Sequence, residues 1–439
     1  MPVWAEGDPS VESVLLPVGP ASKLIVIPTD RFTCELLGVT FVSKLTRETA
    51  QKNAMLPELL RRGTIRYPTR ALLDRHLCDL YSMTLSSSNY AFGDCQMLEF
   101  SLDFLAARFV GGKEGLLPQA IRLLSEILTA PALDANGLFQ AAFVNNEKKH
   151  LTDAIRAEMN SPRAFAAARC RELLCNGEPF ALSLIGNLSD AEKLTPECLT
   201  ARYHEFLSTL TPVFTYVGAT PPEEVARQLA AAFPLLSAAG SVFETSIFAQ
   251  KAPVVNGEVT MPISQSRLSL GFRSDIGVND PLSPAFRVMN EIYGGSAVSK
   301  LFLHVREEKS LCYYCASNIH PSKGLLFVGC GVKPENMERA KEAILAEFEE
   351  MKAGHVSEKE FVNAKKSLLN ACRQRDDSPL ALSRFFLSHL LLEDGETPLS
   401  QRLRLEAVTP EEVQRAAKRV SLGAVFSLHG GNEEGEDEF

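Results

Sequence analysis

The sequence predicts an α+β protein built from two homologous halves, each a mainly antiparallel sheet covered by helices. Three observations carry this expectation: an internal duplication, paired helical stripes with matching start signals, and the absence of a β-α-β-α alternation. Phe143-Val144-Asn145-Asn146, followed by Lys148-Lys149, is echoed by Phe361-Val362-Asn363-Ala364 with Lys365-Lys366. Ser161-Pro162 returns as Ser378-Pro379, and Leu194-Thr195-Pro196-Glu197 as Val408-Thr409-Pro410-Glu411. The offsets are 218, 217 and 214 residues, in the same order along the chain. A period of about half the chain marks a duplicated unit.

The elements follow in order. Leu117, Ile121, Leu124 and Leu128 lie at helical spacing, and Met337, Ala340, Ile344 and Phe348 form the matching stripe in the second half. Each Thr-Pro-Glu opens a helix, with Thr as N-cap, Pro at the first helical position and Glu near the positive helix end. Each of those helices leads to a short strand, Val213–Val217 and Val425–His429, ending at Gly218 and Gly430. Further strands are expected at Leu24–Ile27, Phe32–Phe41, Arg267–Phe272 and Leu325–Val332. Leu268, Leu270 and Phe272 alternate with small or polar residues, the pattern of a sheet with one buried face. Runs of alternating strand and helix are absent, which argues against a doubly wound parallel sheet. The halves are expected at 1–234 and 257–439, joined by an Ala-, Ser- and Gly-rich linker over 235–256. The acidic end Glu433–Phe439 reads as a solvated, disordered tail.

The chain has 439 residues, 45 Lys+Arg against 54 Asp+Glu, and a formal net charge of −9. That balance excludes a nucleic-acid binder, which needs a surplus of cations to displace counterions. No apolar run approaches the length of a membrane span. The first nineteen residues carry Glu6, Asp8 and Glu12 and have no basic region followed by an apolar one, so neither a secretory signal nor a transit peptide is expected. Ten Cys are scattered without framework spacing and read as reduced thiols of a cytoplasmic protein.

Two segments carry a resemblance. They are Asn53-Ala-Met-Leu-Pro-Glu-Leu-Leu-Arg-Arg-Gly-Thr64 and Tyr293-Gly-Gly-Ser-Ala-Val-Ser-Lys-Leu-Phe-Leu-His-Val-Arg-Glu-Glu-Lys-Ser-Leu-Cys-Tyr313. With the duplication, they make the chain resemble the pitrilysin/insulinase metallopeptidase family of inverted zinc-motif type, and within it the catalytically inactive bacterial members. The resemblance implies two homologous domains enclosing a clam-like chamber. The family's motif is His-x-x-Glu-His on a helix, shortly before a Gly-Thr pair. Two His at i and i+4 share a helix face and ligate zinc, and the Glu between them activates the metal-bound water. Anchored on Gly63-Thr64, those positions fall on Ala54, Pro57 and Glu58. The family's third ligand is a Glu seven residues after another Glu. Glu147 fits the first, but the ligand position falls on Ala154, and neighbouring Asp153 is turned about 100° away round the helix. The eight His include no i, i+4 pair. No metal and no cofactor are therefore expected, and the chain is not expected to be an enzyme on its own. Pro57 reads as a residue near a helix start, where its missing N–H costs little. Glu58 reads as a solvated helix residue.

Active members of the family also carry, in their second half, an Arg and a Tyr seven residues apart that hold the substrate carbonyl and its developing oxyanion. Arg306 and Tyr313 have that spacing and follow the Gly294-Gly295 turn. A guanidinium and a phenol are fixed donors suited to negative charge at a tetrahedral centre. The resemblance then implies a non-catalytic subunit of a zinc metallopeptidase heterodimer. Its partners would be a zinc-bearing homologue and an unfolded or precursor peptide, captured by strand addition to a sheet edge. In isolation a homodimer is possible. The alternatives are a purely structural family member without a role in proteolysis, or an enzyme with a relocated metal site.

Three weaker signals complete the reading. Cys312-Tyr-Tyr-Cys315 sits at the entry to a strand, so its two thiols are expected on opposite faces and to be buried apolar residues rather than a redox or metal pair. Ser86-Ser87-Ser88 reads as a strand edge or loop without a nucleophile's partners. Arg61-Arg62 and Arg66 read as a solvated helix end.

Overall fold

A computed structural model describes residues 11–110, 115–234, 243–249 and 253–431. Its strands form two sheets. The first holds β1 (Val14–Val18), β2 (Ser22–Pro28), β3 (Cys34–Lys44), β4 (Thr84–Phe92), β5 (Cys95–Leu105) and β6 (Pro212–Gly218), in the order β1-β2-β6-β3-β5-β4. The second holds β7 (Val255–Met261), β8 (Ser266–Ser274), β9 (Cys312–His320), β10 (Leu325–Val332) and β11 (Val420–Gly430), in the order β7-β11-β8-β10-β9. In each sheet one pair is parallel, β2 with β6 and β7 with β11, and the remaining pairs are antiparallel. Without β1, the two orders superpose strand for strand, so the duplication seen in the sequence is a duplication of topology.

Repeated side-chain bonds confirm it residue by residue. Lys148 Nζ donates to the Leu194 carbonyl at 3.3 Å, and Lys365 Nζ to the Val408 carbonyl at 3.1 Å. Each bond ties a long helix (Ala141–Met159, Glu358–Asp376) to the residue just before a Thr-Pro-Glu helix start. The two lysines are 217 apart, as are the Ser-Pro pairs. Structural equivalence in this helix therefore runs one residue out of step with the Phe-Val-Asn echo. Thr195 and Thr409 cap Pro196–Thr209 and Pro410–Lys418 in capping boxes, closed by Cys198 in the first and by Glu412 in the second.

The contacts divide the chain into two compact units, each assembled from separated segments. One comprises Met1–Ile155, Ser183–Glu244 and Gln374–Leu399; the other comprises Arg156–Leu182, Thr245–Arg373 and Ser400–Phe439. In the first unit, Leu37, Val39 and Phe41 of β3 face the helices Ala50–Leu60, Leu117–Thr129 and Pro196–Thr209. Leu36 and Val42, on the other face, pack with Leu382, Phe385 and Phe386 of the helix Pro379–Leu392. In the second unit, Leu268, Leu270 and Phe272 face the helices Ser283–Asn290, Met337–Ala353 and Pro410–Lys418. Their opposite face is covered by the helix Pro162–Leu174. Each sheet thus takes its second layer from a Ser-Pro helix of the other half of the sequence.

This corrects the expectation of one buried face for Arg267–Phe272. The small residues between the apolar ones are what admit the second helix. A Cβ on Gly271 would stand 2.9 Å from Leu174 and 3.3 Å from Cys170, and one on Gly257 would stand 2.7 Å from Leu173. Of the expected linker 235–256, residues 235–242 and 250–252 lie outside the described residues, and β7 begins at Val255. The acidic tail 433–439 lies outside them as well. No helix among the described residues is long and apolar enough to cross a membrane.

Candidate functional site

The segment expected to hold the zinc motif is the helix Ala50–Leu60. It packs against β4, the edge strand of the first sheet, and β5. Pro57 lies well inside this helix and is buried, not near its start as expected. Ala54 and Pro57 present no donor atom. Glu58 is 47% exposed, accepts from Ser87 Oγ at 2.9 Å, and stands 3.4 Å from Arg61. Arg61 also donates to Ser87 Oγ at 3.1 Å and to the Leu85 carbonyl at 3.3 Å, so it clamps the helix end onto the edge strand.

Glu147 is buried on the helix Ala141–Met159, where Arg62 pairs with it and His150 Nδ1 stands 3.3 Å away. Ala154, the expected ligand position, is an exposed methyl. Arg61 and Arg62 are therefore not a solvated helix end. They hold the two carboxylates that a metal would otherwise draw on. These residues do not fit the family's zinc: the imidazoles are missing, and the carboxylates already have cationic partners.

Arg306 and Tyr313 belong to the second unit. Arg306 lies in the π-helical segment Leu301–Glu308, whose wide turn is pinned by its neighbours. His304 Nδ1 stands 2.8 Å from Glu347 of the helix Met337–Ala353, and Lys300 Nζ stands 2.9 Å from Glu360 of the helix Glu358–Asp376. The Arg306 guanidinium carbon sits 4.6 Å from the centroid of the Phe302 ring, its side chain is 39% exposed, and its Nε is 3.4 Å from Glu307. Tyr313 is 48% exposed. Neither is sunk into the core.

Gly294 sets where β9 can run. A Cβ there would stand 2.6 Å from Ser317 Oγ and 2.7 Å from its backbone nitrogen. The glycine that precedes the Arg-Tyr segment thus allows the wide helical turn Glu291–Gly295 to touch the strand carrying Tyr313. The face of β9 that carries Tyr314 and Asn318 lines a cavity of about 390 Å³ with Arg163 and Arg171 of the helix Pro162–Leu174. Arg163 lies over the Tyr314 ring at 4.7 Å.

The thiols of Cys312 and Cys315 do not point to opposite faces. Along β10, Cys330 pairs with Cys315 and Gly331 with Tyr314, but Val332 pairs with Cys312, so the register shifts and Tyr313 is an extra residue in a bulge. The bulge returns Cys312 to the core side. The sulfurs of Cys312, Cys315 and Cys330 lie within 4.8 Å of one another. Hydrogen bonds from Cys315 and then Cys330, aided by the field of Arg306, hold the Cys312 thiol well below the usual range. Sequence reasoning missed Cys330, although it stood inside an expected strand; the hairpin register was the missing signal. A second cluster, His389, Asp394 and Glu396, closes the end of the helix Pro379–Leu392, with His389 Nδ1 2.8 Å from Asp394.

Comparison with known proteins follows the same lines. Residues 193–368 match the family model for the Peptidase M16 inactive domain. The chain is 28% identical over 406 residues to a probable inactive metalloprotease, YmfF, of Bacillus subtilis, covering 92% of this chain and 95% of that protein. A conserved protein from Enterococcus faecalis superposes with a TM-score of 0.88 at 25% identity, covering 96% of this chain and all of the other. A peptidase M16 inactive domain from Pseudomonas fluorescens shares the fold, with a TM-score of 0.77 at 18% identity, covering 96% of this chain and 98% of its own. The chain is accordingly similar to inactive members of the M16, or pitrilysin/insulinase, peptidases, in sequence over most of its length and in fold.

Proposed function

We propose that the protein is a non-catalytic subunit that completes the active site of a zinc-bearing M16 partner and helps hold its peptide. One observation carries this reading. The segment resembling the zinc motif offers Ala54, Pro57 and an occupied Glu58, while Arg306 and Tyr313 keep the seven-residue spacing of the family's oxyanion donors and remain accessible to solvent. A donor that stabilises a developing oxyanion has its value at a reacting carbonyl, and this chain lacks the imidazoles that would hold a metal at the family position to create one.

In this reading the partner's zinc supplies the hydrolytic chemistry. Arg306 and Tyr313 donate to the carbonyl oxygen as its charge grows. The edge strand β4, one of whose sides has no strand neighbour among the described residues, offers main-chain groups to an extended, unfolded or precursor peptide. In this reading the heterodimer works in the cytoplasm.

The test is co-expression with a homologue carrying intact His-x-x-Glu-His, followed by peptide cleavage assays. Arg306→Ala and Tyr313→Phe are expected to lower kcat by about 10²- to 10³-fold each, the effect of losing one oxyanion donor, with the complex still assembled. Unchanged turnover in both removes the assigned role. A companion captured without the zinc motif, in place of one that has it, would favour a scaffold.

A further inference from the structure

We propose that Cys312, Cys315 and Cys330 form a thiolate site for a single Zn(II) ion. This site is separate from the family's zinc motif, which falls in the other unit, and it does not rest on the role given above to Arg306 and Tyr313.

Geometry is the first support. Three of the chain's ten cysteines converge on one side of a two-strand ladder, their sulfurs within 4.8 Å of one another. They do so only because the bulge at Tyr313 reverses the side on which Cys312 emerges. A tetrahedral zinc with Zn–S bonds of about 2.3 Å needs its sulfurs about 3.8 Å apart. Sulfurs no more than 4.8 Å apart lie within about 1 Å of that spacing.

The donor set is the second support. All three ligands are soft sulfur, with no carboxylate or imidazole among them, which selects a thiophilic cation and excludes magnesium or calcium. Between the thiophilic cations, charge decides. Zn(II) with three thiolates carries one net negative charge, and Cu(I) carries two. The site borders the apolar core, since Cys330 is fully buried and Cys315 nearly so. The Arg306 guanidinium, whose field reaches Cys312, offsets one negative charge and not a second.

Access is the third support. Cys312 is half-buried at the open end of the strand, so an ion can enter from its side and keep a water as fourth ligand. Binding is balanced as follows. Zn(II) forms three Zn–S bonds as the three thiols release their protons to water; nothing is oxidised or reduced. Once bound, the ion ties both ends of the bulge together and fixes the backbone from which Tyr313 projects.

The full-length protein, reduced and metal-free under anaerobic conditions, is titrated with Co(II) and then with Zn(II). The expected result is a thiolate-to-cobalt charge-transfer band with tetrahedral ligand-field bands, displaced by one equivalent of zinc. Cys312→Ser, at the half-buried end, is expected to retain the fold by circular dichroism and to weaken zinc binding at least tenfold. Cys78→Ser, an exposed cysteine of the other unit, is expected to leave binding unchanged. Absence of the charge-transfer band, or unchanged affinity in Cys312→Ser, overturns the proposal. Uptake of Cu(I) without uptake of Co(II) or Zn(II) overturns the assignment to zinc.

Discussion

Glu147 shows what replaces a metal when its ligands are gone. Its carboxylate is 5% exposed, and Arg62, whose side chain is 23% exposed, stands over it. Removing the two partners is therefore unequal in effect. Arg62→Ala strands a buried carboxylate and is expected to lower stability by about 3 kcal/mol, the lower end of what breaking a buried pair costs. Glu147→Gln leaves a guanidinium that reaches water and is expected to cost only about 1 kcal/mol. The double variant should recover most of the loss of Arg62→Ala, because the orphaned charge is gone. Urea unfolding of the three proteins checks this, and equal losses in the two single variants would refute it. The loss of zinc donors at Ala54 and Pro57 was legible from residue identity alone. The roles of Arg61 and Arg62 were not: the i,i+3 spacing of Glu58 and Arg61 was there to read, but the bonds of Arg61 to Ser87 and Leu85 and the pairing of Arg62 with Glu147 join residues distant along the chain, which spacing cannot show. Cys330 was hidden for a related reason: a single extra residue at Tyr313 changes the side of the sheet on which every preceding side chain emerges.

Elements were legible where one physical signal sufficed. Helical stripes and Thr-Pro-Glu caps located Leu117–Thr129, Met337–Ala353, Pro196–Thr209 and Pro410–Lys418. Apolar runs located β2, β8 and β10. Of the strands not expected, β1 and β7 sit at sheet edges, whereas β5 carries a clear alternation, Leu98, Phe100, Leu102 and Phe104 against Glu99, Ser101 and Asp103, that the reading passed over. β4 was expected only as a strand edge or a loop at Ser86-Ser87-Ser88, because an edge strand half in contact with solvent has no reason to alternate, and it is the edge strand of its sheet. The turn Gly294-Gly295 was legible as a turn, but its purpose appears only once β9 is in place. Gly294→Ala puts a methyl 2.7 Å from the Ser317 backbone nitrogen, which cannot swing aside as a side-chain tip could. The expected result is a loss of about 1–3 kcal/mol, the usual range for overpacking. Faster amide exchange in β9 than in β11 should accompany it, because the strain is local. A change confined to β11, or none at all, would show that the helical turn and β9 yield to each other freely.

At the scale of the molecule, the two Ser-Pro helices matter most. Ser161 and Ser378 cap them identically, accepting from Ala164 and Ala381, so their sequences announce two equivalent helices without saying which sheet each will cover. That choice is made by small residues elsewhere, Gly257 and Gly271 in one sheet, which is why a reading along the chain places each helix with its own half. The consequence can be measured by dividing the chain between Glu244 and Thr245. The first fragment keeps all six strands of its sheet and lacks the helix that buries Leu382, Phe385, Phe386 and Leu387 against them. At about 1.5–3 kcal/mol for each large apolar side chain, that layer contributes roughly 6–12 kcal/mol. This is as much as the whole net stability of an ordinary domain, about 5–15 kcal/mol. The second fragment lacks the helix bearing Ala166, Cys170 and Leu174 and is exposed in the same way. Expressed alone, each fragment is expected to aggregate or to unfold without a cooperative transition. Expressed together, they should co-purify as a one-to-one complex, because each carries the layer the other lacks. A monomeric, cooperatively unfolding fragment of either half would mean that the exchanged helices are accessories to sheets already stable without them.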